Sequence, residues 1–244
     1  MSIVSMFSKI IPEGKLKDIL RIPVYRTMIF FKFSKKETTI MDEKVKFCSF
    51  PWSKPSIDKK EIAGYFENYF PRKGDIIVDA GAYVGHFAII AAKLVGDSGK
   101  VIVFEPDPFN KIELKKNIKA NGIKNIVLIE KGLSNKEGKF NWNIGGVESQ
   151  IGKGFFEIKT TTLDKALKNN KRIDLIKMDI EGAEIDALEG ANSTLNKTKH
   201  CAIASYHIVN GKKTCFEVEK ILKRRKFHVK TKMAGQLLTF GDRK

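Results

Sequence analysis

Two carboxylates and a histidine stand where apolar, strand-like stretches of the chain end. Asp179 lies near the end of the stretch IDLIKMDI (173–180), and Glu181 follows this stretch directly. His207 lies near the end of HCAIASYHI (200–208). A carboxylate can orient a hydroxyl group, and an imidazole has the pKa range of a general base that removes a proton. We therefore predict Asp179, Glu181 and His207 as the catalytic residues.

The same three side chains leave other roles open. Glu181 could orient His207 or bind the substrate instead of reacting with it. Together with Asp179 they could also hold a divalent cation, since carboxylates and imidazoles are common ligands of catalytic metals. A cation is kept as an alternative and is not predicted.

A glycine turn connects a strand-like stretch to a helix-like stretch in VDAGAYVGHF (78–87). Gly81 allows a tight turn, and Gly85 allows the helix and the strand to pack closely. The spacing differs from the GxGxxG pattern of dinucleotide sites. A nucleoside-binding loop is predicted here, with its ligand at Asp79, Gly81, Tyr83 and Gly85. If the backbone at Tyr83 needs a positive φ, the tyrosine is strained there.

An acidic residue ends the next strand-like stretch, VIVFE (101–105), 20 residues after Gly85. A carboxylate at this place can accept hydrogen bonds from both hydroxyls of a ribose. NAD and S-adenosylmethionine both carry a ribose. The acidic Asp79 and the absence of a third pyrophosphate glycine favour S-adenosylmethionine, because a sulfonium cation is attracted to carboxylates and a pyrophosphate is repelled. We predict this cofactor, with Glu105 as a further binding residue.

Strand-like and helix-like stretches alternate over most of the chain. Five apolar strands separated by helices predict right-handed crossovers and a mostly parallel sheet. The segments KFHVKTK (226–232) and QLLTFGDR (236–243) add a closing antiparallel hairpin. The expected fold is a doubly wound α/β domain that binds ligands beyond the carboxyl ends of its strands. Asp179 and Glu181 then face this crevice.

The chain divides into a basic N-terminal extension, residues 1–56, and a domain formed by residues 57–244. The first 36 residues carry eight basic and two acidic residues, a net charge of +6. Such a segment could contact a membrane surface, cover the acceptor site or take part in a dimer. The domain is expected to begin with a helix over 57–70. Its apolar face comprises Ile62, Tyr65, Phe66, Tyr69 and Phe70.

Composition excludes several classes of protein. No apolar run approaches the ~18 residues of a membrane span. Cys48, Cys201 and Cys215 are widely spaced and form no CxxC pair, which argues against a disulfide framework or a zinc site and favours a cytoplasmic protein. The net charge of +17 admits RNA as a partner, but only seven of the 45 basic residues are arginine, the residue favoured for specific phosphate recognition.

Four segments together resemble the FkbM-type methyltransferases, which are class I enzymes dependent on S-adenosylmethionine. The segments are VDAGAYVGHFAIIAAKL, VFEPDPFNKIELKKNIKANG, TTLDKAL and DLIKMDIEGAE, within residues 75–191. The resemblance implies a Rossmann-like, seven-stranded sheet and O-methylation of a hydroxyl, often on a sugar or natural product. It also implies that Gly81 and Gly85 line the methionine moiety, that Glu105 holds the ribose, and that Asp179 lies near the transferred methyl.

Two positions depart from the family pattern and concern the acceptor more than the cofactor. Tyr83 stands where relatives usually have Asn or Gly, and Ser205-Tyr206 precedes His207 where an acidic residue is expected. The predicted acceptor is a sugar, a glycan or another small metabolite. An RNA methyltransferase and a non-catalytic nucleoside-binding module stay open as alternatives, and the oligomeric state is not predicted.

Overall fold

The computed structural model describes residues 33–50, 57–143, 150–151 and 156–243. Its strands are β1 (Ser34–Ile40), β2 (Glu43–Ser49), β3 (Ile76–Ala80), β4 (Lys100–Phe104), β5 (Ile126–Ile129), β6 (Gly132–Leu133), β7 (Gly138–Asn143), β8 (Gln150–Ile151), β9 (Phe156–Thr161), β10 (Ile173–Met178), β11 (Thr198–Ala204), β12 (Ile208–Val209), β13 (Lys212–Lys213), β14 (His228–Ala234) and β15 (Gln236–Asp242). Its helices are α1 (Lys59–Gly64), α2 (His86–Val95), α3 (Pro108–Ala120), α4 (Leu163–Ala166), α5 (Glu184–Glu189), α6 (Asn192–Asn196) and α7 (Cys215–Arg224).

A seven-stranded sheet with the order β14-β15-β11-β10-β3-β4-β5 forms the centre of the fold. The strands β11, β10, β3, β4 and β5 are parallel, whereas β15 runs antiparallel to both β11 and β14. The predicted doubly wound, mostly parallel sheet with a closing hairpin is confirmed. The chain reverses its direction of growth between β3 and β10, which opens a crevice at their carboxyl ends.

Buried side chains cover the sheet on both faces, as its apolar strands require. One face packs against α1, α2 and the β1–β2 hairpin, and the other against α4, α5, α6 and α7. Local signals set the helix starts. Asp107 caps α3 by accepting hydrogen bonds from the backbone N–H groups of Phe109 and Asn110. Thr162 caps α4 in the same way.

The β1–β2 hairpin belongs to the packed structure although it precedes the predicted domain. Ile40, Val45 and Phe47 are buried in the core, and the side-chain oxygen of Asn117 on α3 accepts a hydrogen bond from the backbone of Cys48 at 2.5 Å. The division at residue 57 stays a prediction. Of the extension 1–56 the structure describes only 33–50, and 1–32 and 51–56 lie outside the described residues.

The helix expected over 57–70 is much shorter than predicted. It ends at Gly64, whose Cα packs so closely against β14 that an added Cβ would lie 1.9 Å from the carbonyl oxygen of Ala234. Pro71 also disfavours helical backbone at Phe70, which is 52% exposed rather than buried. Tyr65 is nevertheless buried, so the turns after the helix still point it inward.

Two small sheets complete the described structure. Strands β6, β9, β7 and β8 form a four-stranded sheet, and β12 pairs with β13 in a short hairpin after β11. Within the ranges that the structure describes, no helix has the length and apolar character needed to cross a bilayer.

Candidate active site

The ends of β3 and β10 lie directly against each other. The backbone N–H of Asp179 donates to the carbonyl oxygen of Ala80 at 2.9 Å. Gly81 has a φ of +80°, and a Cβ added to it would lie 1.8 Å from the carbonyl oxygen of Asp179. Because neither this φ nor this contact admits a side chain, the chemistry of the loop depends on glycine at position 81.

An open cavity lies beyond these strand ends, where the fold predicts a ligand. Five of the predicted site residues line it: Gly81, Tyr83, Glu105, Asp179 and Glu181. Three others are not part of its lining: Asp79, Gly85 and His207. Three residues predicted to bind the nucleoside thus line the cavity together with both predicted catalytic carboxylates, whereas the predicted catalytic histidine does not line it.

Glu105 is buried at the end of β4 and ties two loops together. Its Oε2 accepts a hydrogen bond from the backbone of Tyr83 at 2.7 Å, and its Oε1 accepts one from the backbone of Asp107 at 2.9 Å. Burial raises the pKa of Glu105 to about 8. Oε1 also accepts from Nδ2 of Asn110 at 3.4 Å, so Oε2 is the oxygen that keeps a second lone pair for a ribose hydroxyl.

The backbone at Tyr83 is left-handed, with a φ of +53°. The positive φ considered for Tyr83 in the sequence analysis is therefore present. The tyrosine occupies a conformation that Asn or Gly adopts more easily. Glu181, which also lines the cavity, has a φ of +56°. The cavity lining therefore contains two strained non-glycine residues.

Asp79 is completely buried and binds a lysine rather than facing the cavity. The Nζ of Lys177 lies 3.0 Å from its Oδ1 and donates to the carbonyl oxygen of Gly81 at 2.6 Å. Burial alone would lower the pKa of Lys177, but attraction by Asp79 and Asp179 raises it, so the lysine is charged. A role for Asp79 in cofactor binding stays a prediction, and this geometry allows it only through Lys177 and the loop.

Gly85 packs against helix α3 instead of forming part of the cavity. A Cβ at this position would lie 2.5 Å from Cδ1 of Leu114. The close helix packing predicted from the sequence is present, whereas a direct contact with the methionine moiety stays a prediction.

Two residues that the sequence analysis missed hold Asp179 in place. The hydroxyl of Tyr65 donates to Oδ2 of Asp179 at 2.7 Å, and the amide of Gln236 lies 3.4 Å from the same oxygen. Oδ1 of Asp179 has no hydrogen-bond partner among the described residues, and Nε2 of His207 lies 3.7 Å from it. This oxygen is buried and keeps an unused acceptor position.

His207 lies among three carboxylates. Its Nε2 is 3.3 Å from Oε2 of Glu181, and its Nδ1 is 3.2 Å from Oε1 of Glu184. Burial works against the charged form, but the carboxylates of Glu181 and Glu184 next to its ring nitrogens, together with that of Asp179, raise the pKa of His207 to about 10. At neutral pH the ring is an imidazolium, which cannot accept a proton.

Glu184 organises the loop between β10 and α5. It is completely buried, and its Oε1 accepts hydrogen bonds from the backbone N–H groups of Ile180 and Gly182 at 3.0 and 3.2 Å. Helical periodicity alone predicts a solvent-exposed position for Glu184, and its complete burial shows that this prediction is wrong. No local sequence signal identifies Glu184, because its histidine partner at position 207 comes close only in the folded chain.

The same cluster has the composition of a metal site. One ligand atom each of Asp179, Glu184 and His207 lies within 4.8 Å of the others. The imidazolium of His207 already supplies a positive charge at the centre of these carboxylates. The predicted catalytic residues Asp179, Glu181 and His207 therefore come together, with one imidazolium among three carboxylates, and a metal stays the alternative that was not predicted.

A family comparison matches this region of the chain. Residues 79–229 match the family described as Methyltransferase FkbM domain. The match includes the glycine loop, Glu105 and the carboxylates after β10, whereas Tyr65 and Gln236 lie outside it.

Individual relatives are more distant. An uncharacterized protein, MJ1452, of Methanocaldococcus jannaschii is 37% identical over 82 residues, which cover 32% of this chain and 30% of the relative. The match thus spans less than a third of that protein.

Solved structures share the fold. The precorrin-6y C5,15-methyltransferase of Geobacter metallireducens superimposes with a TM-score of 0.53 at 11% identity, over 78% of this chain and 93% of the other. A structure described as an rRNA-methylase of Clostridium thermocellum gives 0.50 at 15% identity, over 74% and 92%.

Proposed function

Since the chain belongs to the FkbM family of S-adenosylmethionine-dependent methyltransferases, we propose that it methylates a hydroxyl of a sugar, a glycan or another small metabolite. The observation that supports this class of acceptor is the charge of the cavity. Its lining contains five carboxyl groups, of which that of Glu105 is mostly neutral at pH 7, and only two lysines, in a chain whose net charge is +17.

These carboxylates surround the crevice from several elements. Glu61 of α1 faces Asp179 and Glu181, and burial together with the charge of Asp179 raises its pKa. One of the two lysines, Lys177, is neutralised by Asp79. Proteins that bind RNA neutralise its phosphates with Lys and Arg, so a cavity of this sign disfavours RNA and suits a hydroxylated acceptor without phosphates.

The described residues fit the proposed cofactor. Glu105 would hold the ribose, the Gly81 loop would approach the cofactor with its backbone, and Asp179 and Glu181 would lie near the positive charge. When bound, S-adenosylmethionine supplies a methyl group already activated by a sulfonium. The protein has to position the acceptor and receive its proton.

We assign the acceptor contact to Asp179. Tyr65 and Gln236 fix its Oδ2, which leaves the buried Oδ1 to accept a hydrogen bond from the acceptor hydroxyl and then its proton. The imidazolium of His207, 3.7 Å away, would stabilise the negative charge of this carboxylate and orient it. In this proposal His207 positions Asp179 and is not the general base.

The test is a screen for label transfer from methyl-labelled S-adenosylmethionine into separate pools of small metabolites, glycans and RNA. Label in a ribonuclease-resistant, low-molecular-weight or glycan product is expected. Label in RNA would replace the proposed acceptor, and binding of the cofactor without transfer to any pool would favour the non-catalytic module.

A matched pair of variants then tests the role of Asp179. Asp179→Asn should lower turnover by about 10²-fold or more with the fold retained, because positioning and base catalysis have effects of this size. Asp186→Asn, at an exposed position of α5, serves as the control and should be fully active. Normal turnover of the Asp179 variant would refute the assignment.

A further inference from the structure

The carboxyl edge of the sheet carries three unusually exposed apolar side chains. Ile208, Met233 and Phe216 are 70%, 70% and 68% exposed, more than any other large apolar side chain in the described residues. They come from three different elements: the β12–β13 hairpin, β14 and α7. Scattered exposed apolar residues need no explanation, but a group of them does.

The hydrogen-bond register places Phe216 and Met233 at one level of the fold. The backbone N–H of Ser205 donates to Leu237, which is the register partner of Met233, and the carbonyl oxygen of Ser205 accepts from Cys215, the residue before Phe216.

A side-chain contact places them on one face. Glu219, one helical turn after Phe216, accepts a hydrogen bond from the hydroxyl of Thr231 at 2.7 Å. From this contact Phe216 lies ~4.5 Å towards the carboxyl edge along the helix, and Met233 lies ~6.6 Å towards the same edge along the strand. Phe216 and Met233 thus lie next to each other near the carboxyl end of β14.

The hairpin that carries Ile208 ends three residues before Phe216 and contributes two lysines to this group. Lys213 pairs across the short hairpin with Ile208, and Lys212 and Lys213 are both exposed. The exposed Glu217, which follows Phe216 directly, pairs with Lys220 at 3.4 Å. We define the edge patch as Ile208, Phe216, Met233, Lys212 and Lys213.

We infer that the edge patch docks the protein on an anionic lipid membrane, with the apolar side chains in the headgroup region and the lysines at the phosphates. Apolar anchors combined with basic residues are the features that bind peripheral proteins to such surfaces. A second copy of the chain fits less well, because a dimer formed through this patch would bring the same lysines together in a protein of charge +17.

The site geometry is compatible with this orientation. The patch follows His207 directly in the chain and lies at the same edge of the sheet as Asp179. Because the lining of the cavity at this edge is acidic, the contact with anionic headgroups would be confined to the edge patch. The inference concerns binding alone and does not depend on the identity of the acceptor.

The experiment measures cosedimentation of the full chain with vesicles in which about a third of the lipid is phosphatidylglycerol, and with vesicles of phosphatidylcholine alone. The chain should bind the anionic vesicles, and added salt should weaken the binding. The combined Ile208→Ser, Phe216→Ser and Met233→Ser variant and the Lys212→Glu, Lys213→Glu variant should each lower affinity about tenfold or more.

Val127→Ser is the matched control, since Val127 is 44% exposed on β5, the strand at the opposite side of the sheet. It should bind as the parent chain does, and all variants should keep their cofactor affinity as evidence of folding. Undiminished binding of both patch variants would overturn the inference by assigning the membrane contact to another segment. Absence of binding to anionic vesicles, or a dimer that only the patch variants abolish, would overturn it as well.

Discussion

The affinity of the protein for a ribose should depend on pH, because burial shifts the pKa of Glu105. Burial raises the pKa of this carboxyl to about 8, even though the backbone N–H groups of Asp107 and Tyr83 donate to it and favour the ionised form. A ribose hydroxyl donates best to the ionised carboxylate, so the ligand binds the deprotonated protein more tightly. Affinity should therefore increase as pH rises through about 8.

The size of the effect follows from the fraction ionised. With a pKa of about 8, about a tenth of Glu105 is ionised at pH 7 and about nine-tenths at pH 9, so affinity should rise about tenfold, or about 1 kcal/mol. Titration calorimetry with adenosine is the appropriate assay, because the nucleoside carries no group that titrates in this range.

The matched variant is Glu105→Gln, which keeps the shape of the side chain and removes its titration. It should bind adenosine weakly and equally at every pH from about 7 to 9. A flat affinity in the unaltered protein would refute the reasoning, as would a variant with the same slope, because the titrating group would then be another residue.

Three further perturbations test other parts of the site. The raised pKa of His207 predicts stabilisation that is complete below its unfolded value of about 6.5 and is lost as pH rises through about 10; His207→Gln should flatten this dependence in thermal denaturation. Tyr65→Phe removes the donor to Asp179 and should cost about 1 kcal/mol of unfolding free energy and lower turnover, with cofactor affinity retained in calorimetry. Gly81→Ala should destabilise the fold by roughly 3 kcal/mol or more, whereas Gly122→Ala, which meets no neighbour, should cost roughly 1 kcal/mol from its positive φ alone; equal melting temperatures would contradict the close contact at the loop.

The parts of the fold that local patterns determine could be predicted from the sequence. Alternating strands and crossovers fix a parallel sheet, and a parallel sheet brings its strand ends to one edge. Glu105 and Asp179 end separate strands, so their shared place at the cavity follows from topology alone. The positive φ at Tyr83 could be stated only as a condition, which the Asn or Gly usual at this position in the family suggested.

Contacts between distant segments could not be predicted in this way. Tyr65 lies 114 residues from Asp179, and Gln236 lies 57 residues from it, so no periodicity joins them. The first helix ends at Gly64, where the carbonyl group of Ala234, near the other end of the chain, leaves no room for a side chain. The buried Glu184 pairs with a histidine that lies between β11 and β12. In each case tertiary packing overrides a local preference.

Two residues that line the cavity, Tyr83 and Glu181, have a left-handed backbone that lowers the stability of the fold while their side chains serve the site. Tyr83 and Glu181 each hold a backbone conformation that costs about 1 kcal/mol in a residue with a side chain. Tyr83→Asn or Glu181→Gly would relieve that cost and raise the melting temperature, at the expense of a ring and a carboxylate that face the ligand. In a directed-evolution experiment, selection for thermostability alone should accumulate substitutions at these two positions, and a parallel selection for methyl transfer should retain the original residues.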